Sequence, residues 1–452
     1  MDAARMTDNS VISIDMDAVD HNLRVVRSVV GPGCEINAVV KADAYGLGAL
    51  RMSRRLLQAG ASMLTVYSPS QAEVLEGLSC PVLVLQPVTE LERGGALHSM
   101  LVAGRLHLVV HDVHHVAQLI VLAHEHGVRL PVHVEVDTGL VRGGCVPEEA
   151  ARILQAVAAS PSLRLAGLMT HFSHAKGSGE RCAAQMRAFD LFVDSHRGLI
   201  PPECVTHASS SYAMLRGSAL HAGMVRVGIA WTGLCDDGPE DCARPAACER
   251  FRPVLRWSSS LIHVRRVPRG TSIGYGWLWT ARRDAMLGLV PVGYADGYPT
   301  LRDGSPDDSA GATRWVRIVA GDREAEAPVV GTVNMDQLCV DLTGLEHVLA
   351  GLPNGGLGAD VELYGTDRTA HNYLPTIARR TGLRPYELLC RLSARIPRVA
   401  VESSGPIARV EQAAPRMARR ARARARRRQS SSYGRSPVRR AIVGRELCAG
   451  RA

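Results

Sequence analysis

Of the 53 lysines and arginines in the chain, only two are lysines, Lys41 and Lys176. Either residue type can carry surface charge. An amine that must lose its proton and attack a carbonyl cannot be replaced by arginine, which stays protonated. Lys41 is therefore a candidate for Schiff-base chemistry. It sits in AVVKADAYGLGA, behind Val39 and Val40 at the end of a β-type run. A lysine there is costly unless it is deprotonated or paired. Tyr45 and the glycines at 46 and 48 follow, in a loop where backbone can approach a ligand closely.

The elements that must position Lys41 form a repeating pattern. Short β-type runs at 37–42, 63–67, 82–86, 106–110, 132–137, 165–171, 204–208 and 224–228 alternate with amphipathic stretches such as 47–59, 113–125, 148–159 and 180–197. Eight strand–helix units in about 230 residues is the (β/α)8 count, and the C-terminal ends of the strands in such a barrel form the active-site mouth. A doubly wound open sheet is the competing arrangement. Past a proline- and acid-rich stretch at 235–250 the period changes to two, with strand-like runs at 254–267, 285–291, 315–318, 328–333 and 338–342 and hardly any helix. The expected organisation is an N-terminal strand (1–15) pairing with the β domain, a barrel (16–240), a mainly β domain (241–400) and an Arg-rich low-complexity tail (401–452). That tail is expected to be disordered.

Charge and composition narrow the function classes. The chain of 452 residues is 46% hydrophobic with net charge +9, but the tail holds 14 arginines against 3 glutamates, a local +11. The remaining body nets −2, so nucleic-acid contact is expected only through the tail, if at all. No apolar run reaches membrane-spanning length, and the N-terminus lacks the basic flank and apolar stretch of a secretory signal. The 11 cysteines form no CxxC or metal-like cluster, so no metal is expected and a reducing cytoplasm is.

VVKADAYGLG resembles the pyridoxal-phosphate lysine motif of the alanine racemase family. Further matches occur in family order: VDTGLVRGG at 136–144, THFSHA at 170–175, MVRVGIA at 224–230, SIGYG at 272–276, VGYADGYP at 292–299, VGTVNMDQ at 330–337 and YELLCRLSARIPRV at 386–399. The resemblance covers about residues 11–399 and leaves out the tail.

The resemblance implies a pyridoxal 5'-phosphate enzyme that racemises a small amino acid. Lys41 corresponds to the lysine that carries the cofactor and serves as one of two bases, and Tyr275 to the opposite base, supplied by the partner subunit of a head-to-tail homodimer. Racemisation needs both, because the α-proton leaves one face of a planar carbanion and returns to the other. Arg226 matches the arginine at the pyridine nitrogen; related barrel decarboxylases have a carboxylate there. His171 resembles the histidine packed against the cofactor ring, and Tyr45, Ser210, Gly228, Ile229 and Tyr386 match phosphate contacts. Arg142 and the N–H of Met335 match binders of the substrate carboxylate, and Tyr294, with Tyr386, resembles residues that narrow the entrance. Seven residues before Arg142, many family members carry a carbamylated lysine. Glu135 stands there, and the expectation is that it supplies the same negative charge directly.

The chain departs from the family in several loops. Lys176 replaces a common acidic residue, Ser209-Ser210 replaces an Asn-Ser pair, and insertions occur around 236–248, 302–314 and 351–356. His174 and His207 read as ordinary core or surface histidines. The leading expectation is a cytoplasmic alanine racemase supplying D-alanine for peptidoglycan. A racemase of serine or broader specificity, a barrel decarboxylase and a non-catalytic pyridoxal-phosphate module are the alternatives. Arg226, Tyr275 and Arg142 argue against the last two.

Overall fold

Strand β1 (Ser10–Asp15) runs straight into a helix, Met16–Val30, whose start is capped by the Asp15 carboxylate accepting from the N–H of Ala18 at 2.9 Å. The computed structural model describes residues 10–235, 237–300 and 314–402. After this helix come β2 (Glu35–Val39), β3 (Met63–Val66), β4 (Val82–Val84), β5 (Leu106–Val110), β6 (Leu130–Glu135), β7 (Leu163–Met169), β8 (Val205–His207) and β9 (Met224–Val227). These eight pair in parallel and in sequence order, and β9 returns to β2 to close the barrel. Valine, leucine and isoleucine dominate the strands because helices outside and side chains inside bury both faces.

The remaining strands are β10 (Leu255–Ser260), β11 (His263–Val267), β12 (Ser272–Ile273), β13 (Trp279–Thr280), β14 (Ala285–Val290), β15 (Trp315–Ala320), β16 (Arg323–Val330), β17 (Leu338–Asp341), β18 (Asp360–Tyr364) and β19 (Arg398–Val401). Nine strands form one sheet in the order β11-β14-β17-β16-β15-β18-β10-β1-β19. In that sheet β1 lies between β10, antiparallel, and β19, parallel, so the chain begins in the sheet before entering the barrel. One continuous hydrophobic core runs from Ile12 through the barrel to Ile396.

Two local expectations need correction. The run at 254–267 is two strands, because neighbouring residues bond to different partners: the Leu261 N–H donates to Ala359 and the Ile262 N–H to Leu289. Helices also occur in the C-terminal half, at Leu374–Arg380 and Pro385–Arg391; the second presents Tyr386. The tail expected to be disordered, from residue 403 onward, and most of the 302–314 insertion lie outside the described residues.

Candidate active site

Lys41 stands two residues beyond β2, at the C-terminal end of the barrel. Burial lowers the pKa of its amine, and the nearby Arg142 guanidinium lowers it further. Both effects favour the neutral form that can act as nucleophile or base. Immediately after it the backbone turns left-handed for four residues, Ala42 to Tyr45, with φ between 53° and 58°. None of them is glycine, so the turn stores strain held by its surroundings. It aims the Tyr45 ring inward, 5.7 Å from that of Trp231, whose indole N–H donates to the Val39 carbonyl at 3.0 Å.

The Tyr45 hydroxyl lies against Gly228. A Cβ at Gly228 would come within 2.0 Å of that oxygen, so only glycine fits. Across from it, the Ser211 Oγ accepts from the N–H groups of Gly228 at 3.1 Å and Ala230 at 3.2 Å. Backbone donors, a serine hydroxyl and a tyrosine hydroxyl thus converge just beyond β9, the chemistry that suits a phosphate dianion. The serine in this cradle is Ser211; Ser210 is the partly exposed residue that precedes the short helix Ser211–Met214. Three consecutive serines hid that register in the sequence. Ile229 is buried beside the cradle, and Tyr386 approaches Tyr45 closely enough to help raise its pKa, after the larger effect of burial.

Arg226, on β9, is 5% exposed and held on both terminal nitrogens. One donates to His207 Nδ1 at 2.7 Å and to the His207 carbonyl at 2.9 Å. The other reaches the carbonyls of Thr170 at 2.8 Å and Ala208 at 3.1 Å, and His171 Nδ1 at 2.9 Å. Among the described residues Nε–H has no partner, and it is the donor left for a ligand. Burial lowers its pKa to about 10, a loss Glu135 opposes and Arg142 adds to, so the guanidinium remains charged at neutral pH.

A chain of imidazoles continues from Arg226 into the barrel core. His207 Nε2 lies 2.9 Å from His133 Nδ1, and His133 Nε2 lies 2.9 Å from His107 Nδ1. An arginine can only donate, so His207 Nδ1 must accept and its proton must sit on Nε2. Each following ring is then forced into the same tautomer. Gly167 on β7 makes the room: a Cβ there would lie 2.1 Å from His133 Nδ1. Burial pushes the pKa of His133, His171 and His207 well below the usual histidine value and that of His107 down to about 4, with neighbouring cationic groups lowering all four further. His207, which the sequence suggested was an ordinary histidine, is thus the direct support of Arg226.

Arg142 follows a loop in which the Asp137 carboxylate accepts from the N–H groups of Gly139 and Leu140 at 2.9 Å and Val141 at 3.1 Å. Arg142 is itself exposed, and its charge helps lower the pKa of Lys41, His171 and Arg226, so it lies near all three. Glu135, at the end of β6, is 7% exposed and forms no ion pair with Arg142 among the described residues. Its Oε2 lies 3.7 Å from His111 Nδ1, which already accepts from the Gly144 N–H at 3.0 Å. The carboxylate acts on Arg226 through its field and forms no ion pair with Arg142 among the described residues.

Tyr275, Tyr294 and Met335 are placed elsewhere, on the second domain. All three are exposed, at 77%, 47% and 55%. The Tyr294 N–H donates to the Asn334 carbonyl at 3.0 Å, and Thr332 Oγ1 to the Tyr275 carbonyl at 2.9 Å, which joins the three on one surface. Arg395 locks the two loops by bridging Asp296 and Asp336 at 2.7 Å each. Among the described residues no interaction links Tyr275 to Lys41.

Residues 14–236 match the family model described as alanine racemase, N-terminal domain, and residues 254–400 the alanine racemase, C-terminal domain. The chain belongs to the alanine racemase family. An alanine racemase of Sorangium cellulosum is 34% identical over 401 residues, covering 85% of this chain and 97% of its own. That of Methanococcus maripaludis is 30% identical over 393 residues, with the same shares of the two chains. The solved alanine racemase of Streptomyces coelicolor A3(2) superposes with a TM-score of 0.73 at 32% identity, covering 88% of this chain and all of that one. Among the described residues, no helix is long and apolar enough to cross a membrane.

Proposed function

We propose that the chain interconverts L-alanine and D-alanine with pyridoxal 5'-phosphate, as a homodimer with shared active sites. A cytoplasmic role supplying D-alanine for peptidoglycan belongs to the same reading. The observation that carries it is Arg226, buried, charged and clamped by His171 and His207 at the pocket of a half-buried lysine.

The residues present fit the cofactor. The Gly228–Ala230 backbone, Ser211, Tyr45 and Tyr386 suit its phosphate, Lys41 its aldehyde, and the free Nε–H of Arg226 its ring nitrogen. When bound, pyridoxal phosphate supplies the electron sink that acidifies the substrate's Cα–H. Arg226 would donate to that ring nitrogen without readily giving it a proton, which would temper the sink. Arg142 of one chain and the Met335 N–H of the other, which arrives with Tyr275, orient the substrate carboxylate. Lys41 Nζ handles the proton on one face and the Tyr275 hydroxyl on the other.

Tyr275 lies on an exposed surface while Lys41 lies at the barrel mouth, and this separation supports a site built from two subunits. The test mixes Lys41→Ala chains with Tyr275→Phe chains and follows D-alanine from L-alanine by chiral chromatography, with L-serine in parallel. Each variant alone should be inactive. Statistical mixing should restore about a quarter of wild-type activity, since half the dimers hold one intact site of two. Inactivity of the mixture would refute the shared site. Absence of D-alanine from wild-type protein with bound cofactor would refute the racemase reading, and a preference for L-serine would change the substrate.

A further inference from the structure

One acidic segment ties together the loops that follow the last three barrel strands. Lys176 lies after β7, Tyr212 and Arg216 after β8, and Asp237, Glu240 and Asp241 after β9. Lys176 Nζ reaches Asp237 Oδ2 at 2.7 Å and Glu240 Oε1 at 3.1 Å, and lies 5.5 Å from the centroid of the Tyr212 ring. The other oxygen of Asp237 accepts from the Tyr212 hydroxyl at 2.9 Å. A second stitch runs alongside, from Arg216 to Asp241 at 2.7 Å and to the Lys176 carbonyl at 2.8 Å.

We infer that Lys176 is a positioning residue for the phosphate end of the cofactor site, acting through Asp237 and Tyr212; the inference rests on the pyridoxal-phosphate reading above. The path is short. Tyr212 directly follows Ser211, whose hydroxyl engages the Gly228 and Ala230 amides. Fixing the Tyr212 ring from both its face and its hydroxyl fixes the turn that carries Ser211. The insertion around 236–248 thereby gains a purpose, since it delivers the carboxylates that this clasp needs.

The clasp also gives a reason for the second lysine of the chain. An ammonium is a compact charge with three rotatable donors, and here it meets two carboxylates and a ring face from different directions. A guanidinium holds its donors in one plane and suits a single carboxylate, which is how Arg216 is used against Asp241.

The test uses the full chain as Lys176→Ala, Lys176→Arg, Asp237→Asn and the Ala/Asn double variant. The readouts are the dissociation constant for pyridoxal phosphate, from titration of the visible absorbance of the lysine-bound cofactor, and kcat at saturating cofactor. Lys176→Ala should weaken cofactor binding roughly five-fold, as two partly exposed ion pairs allow, with kcat within about two-fold of wild type. Lys176→Arg should recover part of the loss. The double variant should bind no more weakly than either single variant, because both remove the same clasp. Raising the salt should narrow the difference in binding between wild type and Lys176→Ala, because it screens the ion pairs that only wild type has. Tyr212→Phe, which deletes one hydroxyl, provides the same test should the charge variants fold poorly. Unchanged cofactor binding in folded Lys176→Ala, or strictly additive losses in the double variant, would overturn the inference. Failure of the underlying reading looks different: wild-type protein would then give no visible absorbance dependent on Lys41.

Discussion

Lowering the pH from 7 to 5 should remove a large part of the stability of the fold, through the histidines that surround Arg226. His133, His171 and His207 are held neutral by burial, and His107 has its pKa pushed down to about 4. In the unfolded chain each would titrate near pH 6.5. Their folded pKa values are depressed, so below pH 6.5 the unfolded chain takes up protons that the folded chain refuses. Stability is then full above about pH 6.5 and falls as the pH drops. Over the roughly 1.5 units from 6.5 to 5, each group costs about 2 kcal/mol, and the four together on the order of 8 kcal/mol. That is comparable to the whole stability of a typical domain, about 5–15 kcal/mol. His115, also lowered by burial, adds in the same direction. Asp367, whose hydrogen bond from Arg317 holds its pKa down to about 2, titrates below this window and leaves the slope to the histidines. Urea titrations followed by the fluorescence of the buried Trp231 and Trp257 would measure the loss. His107→Gln should lower the pH 7-to-5 difference by about a quarter, since one of four groups is gone. A difference below about 2 kcal/mol, or one unchanged in His107→Gln, would refute the reasoning.

Two further outcomes follow from close contacts. Gly228→Ala places a methyl group 2.0 Å from the Tyr45 hydroxyl, so Tyr45 or the cradle must move. The expected result is a stability loss of about 1–3 kcal/mol and cofactor binding weakened at least ten-fold, read by denaturant titration and cofactor titration. Asn22 is fully buried; its amide donates to the carbonyls of Trp231 and Arg252 while its oxygen accepts from the Arg252 N–H at 2.7 Å. Asn22→Leu should cost about 3 kcal/mol or more in denaturant titration, because three backbone groups lose their partner.

Much of what depends on local pattern and residue chemistry was legible in the sequence, though not the break between the strands at 255–260 and 263–267 or the helices at 374–391. Strand–helix alternation narrowed the first half to a barrel or a doubly wound sheet, the change of period predicted the second, mainly β domain, and the scarcity of lysine pointed to Lys41. The ordered motifs carried the family. Chemistry that depends on which atoms meet through space was not legible in the same way. Which serine bonds the Gly228 and Ala230 amides is decided by the turn after β8, which places Ser211 there, and a run of three serines carries no register of its own. Glu135 and Arg142 look like partners at a spacing of seven, yet no ion pair joins them among the described residues, and the nearest charged partner of Glu135 is His111. His107, His133 and His207 lie on three different strands, so only closure of the barrel brings their rings to 2.9 Å and lets one arginine fix their tautomers. The placement of Lys41 and Tyr275 is likewise tertiary: Lys41 is partly buried at the end of the barrel and Tyr275 is exposed on the second domain, a relation that no spacing along the chain encodes.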